Sequence, residues 1–307
     1  MDIFLQQIVN GLVQGSIYAL VALGYTMVYG IMGLINFAHG EVVMIGTLVT
    51  ITVAGSLIKA GMPVALAGLA GLSASVLVCM ALGWGLERIA YRPLRNAPRL
   101  TPLITAIGMS IVLQNLAMMI WGRNYLTFPA LLPKINFEVA GAHFTFIQVV
   151  IVLVSAATMG GLLALIYRTK LGMAMRATAQ NPAVASLMGV NINRVIAAAF
   201  VIGSALGALA GVMVGTYYEI AHYQMGFMLG LKAFTAAVLG GIGNLAGAML
   251  GGVLLGLIEA LGAGYIGDLT GGFLGSHYQD IFAFIVLIVV LMFKPSGLFG
   301  EKTGDRA

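Results

Sequence analysis

Long apolar runs separated by short polar interruptions set the pattern of this chain. The runs are Ile8–Ile31, Val42–Ile58, Val64–Leu86, Leu103–Trp121, Phe144–Tyr167, Val195–Tyr218, Ala233–Leu261 and Ile281–Phe293. Most approach the roughly 20 residues that an α-helix needs to cross a bilayer. Alternating short segments of the kind that build a membrane barrel are absent from the sequence. The pattern predicts an all-α integral membrane protein, a polytopic helix bundle of about eight spans. It reads as a single transmembrane domain over residues 1–307. The opening Met1-Asp2-Ile3-Phe4 lacks a positive n-region and no A-x-A-like site follows, so the first span is expected to be retained.

Composition narrows the class further. Hydrophobic residues make up 60% of the chain and charged residues 8%. Soluble domains carry about 25% charged residues, so this chain lacks the means to cover a water-facing surface. The formal net charge of +5 does not point to nucleic acid, because the positive residues gather in a few loops. One loop holds Arg88, Arg92, Arg95 and Arg99 against Glu87; a second, residues 168–194, holds Arg168, Lys170, Arg176 and Arg194 with no acid; the tail begins at Lys294. The positive-inside rule puts all three in the cytoplasm. Residues 122–143, with mixed charge, Pro129 and Pro133, read as an external loop.

Parity tests the run list. Two runs separate the first basic loop from the second, as required. Three separate the second from the tail, which is one too few or too many. The run from Lys232 to Leu261 is longer than one span needs and contains Gly240-Gly241-Ile242-Gly243-Asn244, so a break is expected there, as two short spans or a re-entrant half-helix. Non-helical backbone at membrane depth survives only when buried in protein or facing a water-filled cavity. Gly241, Gly243 and Asn244 thereby become candidates to line a translocation pathway. Near the start, Gly30 to Glu41 interrupts the apolar text in the same way. The N-terminus is external unless an extra crossing hides in that stretch. Its polar residues Asn36, His39 and Glu41 are either a hydrogen-bond network at a helix break or a second part of the pathway. Ionisable groups in spans cost about 2.5–3.5 kcal/mol each on insertion scales and face the bundle interior or a cavity.

The second basic loop carries the most local information. Asn181 suits a helix N-cap, Pro182 the first helical position, and Gly189 a left-handed C-terminal turn. A helix this short is marginal in water alone. It needs something to dock against, which points to a soluble cytoplasmic partner.

Catalytic signatures are scarce. The sequence has no G-x-x-x-x-G-K-[ST], no H-E-x-x-H and no G-x-S-x-G, so no ATPase or hydrolase chemistry is expected in this chain. Gly241-Ile242-Gly243-Asn244-Leu245-Ala246 matches a dinucleotide pattern, but that pattern has meaning only between a strand and a helix. Cys79, the one cysteine, offers no disulfide, and the histidine–carboxylate sets are too small for a metal. Lys232 and Glu259 flank the expected break; each reads first as an interface residue with its stem buried and its charge in water. Gln114 and Asn115 read as interhelical hydrogen-bonding residues. Trp121, Tyr125, Tyr217 and Tyr218 lie at span ends, as an aromatic belt would. Glycines four apart, Gly203 to Gly215 and Gly243 to Gly251, favour close packing within the chain over a subunit contact.

Several stretches, taken in order, resemble the permeases of branched-chain amino-acid ABC importers, and the LivH type over its LivM partner. They are Tyr25 to Gly30, Gly33 to Glu41, Glu87 to Arg95, Ala106 to Ser110, Lys232 to Asn244, and Lys294 to Gly300. The resemblance implies a permease subunit in the bacterial inner membrane, paired with a second permease subunit. It further implies two cytoplasmic ATPase subunits, which bind the ATP, and a periplasmic amino-acid-binding protein. No cofactor is expected in this chain. Such importers seat a short coupling helix in each ATPase, and Asn181–Gly189 is the best match here, with Arg176, Asn181, Pro182, Ala185 and Gly189 as the coupling residues. The family's usual E-A-A start lacks its acid in this chain. Members also carry other amino acids, amides or urea, which leaves the substrate within that range. The rival reading is a self-sufficient secondary transporter or channel for a small polar solute, using Glu41, Glu259 or Lys232 as its coupling group.

Overall fold

The computed structural model describes residues 2–95, 97–98, 100–139, 141–269 and 279–300. Arg99 and the tail beyond Gly300 lie outside the described residues. The helices are α1 (Asp2–Met32), α2 (His39–Lys59), α3 (Val64–Gly85), α4 (Leu100–Trp121), α5 (Phe146–Arg168), α6 (Lys170–Gln180), α7 (Pro182–Leu187), α8 (Ile192–Tyr218), α9 (Met225–Gly240), α10 (Leu245–Leu269) and α11 (Gln279–Phe293). A π-helical segment, Leu86–Tyr91, and a 3-10 turn, Arg92–Leu94, extend α3. Four short strands complete the described elements: β1 (Leu126–Thr127), β2 (Asn136–Val139), β3 (Ala142–Thr145) and β4 (Ile220–Ala221). Seven helices are long and apolar enough to cross a membrane, namely α1 to α5, α8 and α10, and α9 and α11 supply shorter apolar stretches. This is a multi-pass helical membrane bundle.

The described residues fall into two compact units built from interleaved segments. One takes residues 27–132 and 160–231, the other residues 1–26, 133–159 and 232–307. In the first, α2, α3 and α8 pack on one another through small residues. Gly46 lies against Ala208, Gly83 against Ser204 and Phe200, and Gly211 against the Val43 carbonyl and Thr47. Small residues let backbones approach closely, which is how helices associate where lipid removes the hydrophobic drive. Side-chain hydrogen bonds reinforce the approach: Thr47 donates to the Gly211 carbonyl at 2.8 Å and Ser75 to the Gly46 carbonyl at 2.9 Å. The stripe Gly207, Gly211 and Gly215 is therefore used inside the chain. At the far end of these helices β1 pairs antiparallel with β4, Leu126 opposite Ala221, and Trp121 donates to Thr52 at 2.7 Å.

In the other unit the first half of α1 packs on α10, with Gly11 and Gly15 against Val253, Gly256 and Leu257, and Gly252 against Ala19. The β2–β3 hairpin leads into α5 through a capping box. Thr145 and Gln148 exchange hydrogen bonds at 2.8 and 3.3 Å, satisfying donors that a helix start leaves open.

The expected run Ala233–Leu261 is two helices, with α9 starting earlier and α10 ending later than that run. They form a hairpin joined by a turn at Gly241 and Gly243, whose φ values of 105° and 98° suit glycine. Four helices, α8 to α11, then separate the second basic loop from the tail, which repairs the parity. No extra crossing lies between α1 and α2.

Candidate functional site

The two interruptions have different surroundings. Between α1 and α2 the chain turns at Gly33, φ 64°, and runs without regular helix to Ala38. The first turn of α2 then lies beside Gly207 of α8, where an added Cβ would stand 3.3 Å from His39 Cε1 and 3.5 Å from Val42. Gly207 is near the middle of the 27-residue α8, so α2 begins at mid-span. Irregular backbone at that depth requires burial, and Asn36, His39 and Glu41 are all buried. By contrast, the Gly241–Asn244 turn lies against the chain after α11. Leu298 and Phe299 donate to the Leu239 and Gly240 carbonyls at 2.9 and 3.0 Å. Asn244 bonds the Phe299 carbonyl at 3.0 Å and accepts from the Gly247 amide at 3.0 Å, capping α10.

A third helix start joins the first site. After α8 the chain reverses at Glu219, φ 58°, and α9 begins with Gly226 against Gly40. The α2 and α9 N-termini thus converge at mid-span. Glu41 stands between them. Its Oε1 accepts from Ser110 Oγ at 3.0 Å and Gln114 Nε2 at 2.7 Å, both on α4. Its Oε2 faces Gly226, where an added Cβ would come within 2.6 Å. Partial positive charge at helix N-termini favours a carboxylate in this place. Discontinuous helices that begin at the bilayer midplane are how transporters build solute sites. Asn36 accepts from the Tyr91 hydroxyl at 2.8 Å.

The second basic loop folds as two helices. Asn181 caps α7, accepting from the Val184 amide at 3.1 Å, and Pro182 takes the first helical position. At the other end Val190 donates to Ala185 and Gly189 to Ser186, at 3.1 and 3.0 Å, with Gly189 at φ 85°. This paired pattern is a Schellman stop. Ala185 faces inward, while Leu187 and Met188 are 85% and 81% exposed. The preceding helix α6 had a signal in Thr169, whose hydroxyl accepts from the Gly172 amide at 3.1 Å, but no helix was expected there. Arg176 on α6 lies over the Tyr167 ring, 5.2 Å from its centroid.

Two charge clusters complete the polar inventory. At the end of α3, Glu87 is buried and clamped by two arginines. Arg92 bonds both its oxygens, Oε2 at 2.8 Å and Oε1 at 3.1 Å, and Arg95 pairs with the same Oε1. Partial burial lowers the Arg95 pKa and Glu87 opposes that shift; a guanidinium remains charged in any case. Arg95 also donates to Asn193 of α8 at 2.6 Å. In the other unit Lys232 contacts Glu259 at 3.2 Å and Asp280 at 2.7 Å, and Tyr18 donates to Glu259 at 2.7 Å. The expectation that Lys232 and Glu259 each hold their charge in water is overturned. Both are buried and paired with each other, because residues 27 positions apart meet across the α9–α10 hairpin. Asp280 and Tyr18, their further partners, were not singled out in the sequence; an acid at the head of an apolar run was the available signal for Asp280.

These features coincide with a sequence match. Residues 7–291 fit the family model described as branched-chain amino acid transport system / permease component. The chain belongs to this family. It is 48% identical to the high-affinity branched-chain amino acid transport system permease protein BraD of Pseudomonas aeruginosa, covering 99% of this chain and 98% of that one. It is 46% identical to the permease protein LivH of Escherichia coli strain K12, covering 99% and 97%. A probable LivH permease of Methanocaldococcus jannaschii is 28% identical over 95% of this chain. The family assignment agrees with the resemblance of the chain as a whole.

Proposed function

We propose that this chain is one membrane subunit of an ATP-driven importer for branched-chain amino acids in the bacterial inner membrane. It works with a second permease subunit, two cytoplasmic ATPase subunits that bind the ATP, and a periplasmic amino-acid-binding protein. The chain itself carries no ATPase motif and no cofactor. The observation that carries the reading is α7, a helix of six residues stopped at both ends, with Leu187 and Met188 bare on a basic loop. A single exposed leucine is ordinary. Two adjacent apolar side chains on a capped knob, in a loop oriented to the cytoplasm, suit the helix-in-groove mode of recognition. Asn181, Pro182, Ala185 and Gly189 hold this knob in shape, and Arg176 joins them in coupling from α6. ATP-driven closure of the ATPases would move α7 and, through α8, the helices that pack on it.

The route for the amino acid runs past Asn36, His39 and Glu41, where α2 and α9 begin. Gly241, Gly243 and Asn244 form the hinge of the α9–α10 hairpin. Leu187→Asp should abolish co-purification with the ATPase subunits while the protein remains in the membrane. Uptake of leucine into liposomes containing this chain alone would instead establish a self-sufficient transporter.

A further inference from the structure

The π-helical segment Leu86–Tyr91 bonds at one end toward the coupling loop and at the other toward the α1–α2 break. Single π turns are rare and concentrate at functional places in helices. Here the wider turn presents Glu87 and Tyr91, both buried, in different directions. Glu87 is tied through Arg95 to Asn193, the second residue of α8, four residues beyond Gly189. Tyr91 donates to Asn36 at 2.8 Å, and its ring packs on Phe200 of α8 at a centroid distance of 5.1 Å. Asn36 in turn accepts, through its carbonyl, from the His39 amide at 3.0 Å, which opens α2 two residues before Glu41.

We infer that Glu87 and Tyr91 are positioning residues that transmit displacement of the coupling loop to the α1–α2 break. The path is Asn193, Arg95, Glu87, the π turn, Tyr91, Asn36 and the first turn of α2. Its stiffness has a physical basis. Glu87 cannot leave its two arginines without stranding a buried charge. The tyrosine cannot swing without losing a buried hydrogen bond and a packed aromatic contact. Arg92 and Arg95 are the partly exposed members of this set, so the loop end can shift while the charge stays compensated. The inference rests on the proposed docking of α7 to an ATPase.

The test uses the full reconstituted complex of both permease subunits, ATPases and binding protein. Two quantities are read: the stimulation of ATP hydrolysis by leucine-loaded binding protein, and leucine moved per ATP hydrolysed. Tyr91→Phe keeps the ring and removes the hydroxyl. It should leave ATPase co-purification and unstimulated hydrolysis intact, and lower stimulation about 5-fold, the equilibrium shift that losing one net hydrogen bond gives. Glu87→Gln should act in the same direction and more strongly, because it weakens both arginine contacts. Arg95→Lys, which keeps the charge and loses the fork, should fall between wild type and Glu87→Gln. Combining Tyr91→Phe with Asn36→Ala should be no worse than the stronger single change, because both remove the same bond. Wild-type stimulation in Tyr91→Phe and Glu87→Gln would overturn the inference. So would loss of ATPase binding by Tyr91→Phe, since that would mark a purely structural role. If Leu187→Asp still binds ATPase, the docking itself fails; if it does not and Tyr91→Phe is normal, only the transmission path fails.

Discussion

The two units of this protein each bury a carboxylate against basic side chains, and they do so in opposite ways. In the unit containing α10, Glu259 is fully buried and meets Lys232, which is itself 11% exposed at its side chain and also holds Asp280. The partners come from α1, α9, α10 and α11, so the cluster ties four helices at one point. In the unit containing α8, Glu87 is equally buried, but its arginines expose 30% and 17% of their side chains. Water can take over part of an arginine's bonding there. The first cluster is a fastening, because neither Glu259 nor Lys232 can leave the other without stranding a charge away from solvent. The second is a joint, because its outer members remain solvated while its inner member stays paired. Burial of the basic partner, more than the number of ion pairs, separates the two roles.

Removing the basic partner from each cluster is the sharpest way to break the comparison. Lys232→Met leaves Glu259 and Asp280 facing each other's vicinity uncompensated. Breaking a buried pair costs about 3–5 kcal/mol, so a sharp fall in thermal midpoint in detergent is expected, and adding Glu259→Gln should restore part of it. Equal midpoints for Lys232→Met and wild type would show that this cluster does not fasten the helices. Gly189→Val comes next. A left-handed residue with a side chain costs roughly 1–2 kcal/mol, confined to the α7 stop. Insertion and midpoint should hold while leucine uptake in the complex falls; unchanged uptake would mean that the stop is not needed for coupling. Arg92→Gln, the counterpart of Lys232→Met in the solvated cluster, should lower the midpoint only slightly, since Arg95 still pairs with Glu87. A midpoint drop as large as that of Lys232→Met would erase the distinction. Thr47→Val sets the scale for an uncharged interhelical bond, at about 0.6 kcal/mol, and should lower the midpoint far less than Lys232→Met in the same melting assay.

The second basic loop was legible because its signals are local. Asn181, Pro182 and Gly189 act within one turn of α7, and the cap, the first position and the left-handed stop all appear as read. The α6 helix was passed over although Thr169 caps it, since its mixed polar and apolar pattern lies in a short segment between stronger runs. The break near Asn36, His39 and Glu41 was visible as polarity, but its mid-span level depends on the register of α2 against α8. The break at Gly241 was visible as well, but not the return of the chain after α11 to lie against it.

Sequence alone decided that this is a bilayer protein, where its long apolar runs lie, which loops gather the basic residues, and that α7 is a capped knob. Those properties depend on composition and on neighbours within a turn or two, where the chain has little choice. Tertiary structure decided which charges meet. Tyr18 and Glu259 lie 241 positions apart and Arg95 and Asn193 lie 98 apart, and nothing in either local pattern names the other. A buried charge in an apolar bundle must find a partner or leave, and only the packing of distant helices supplies one.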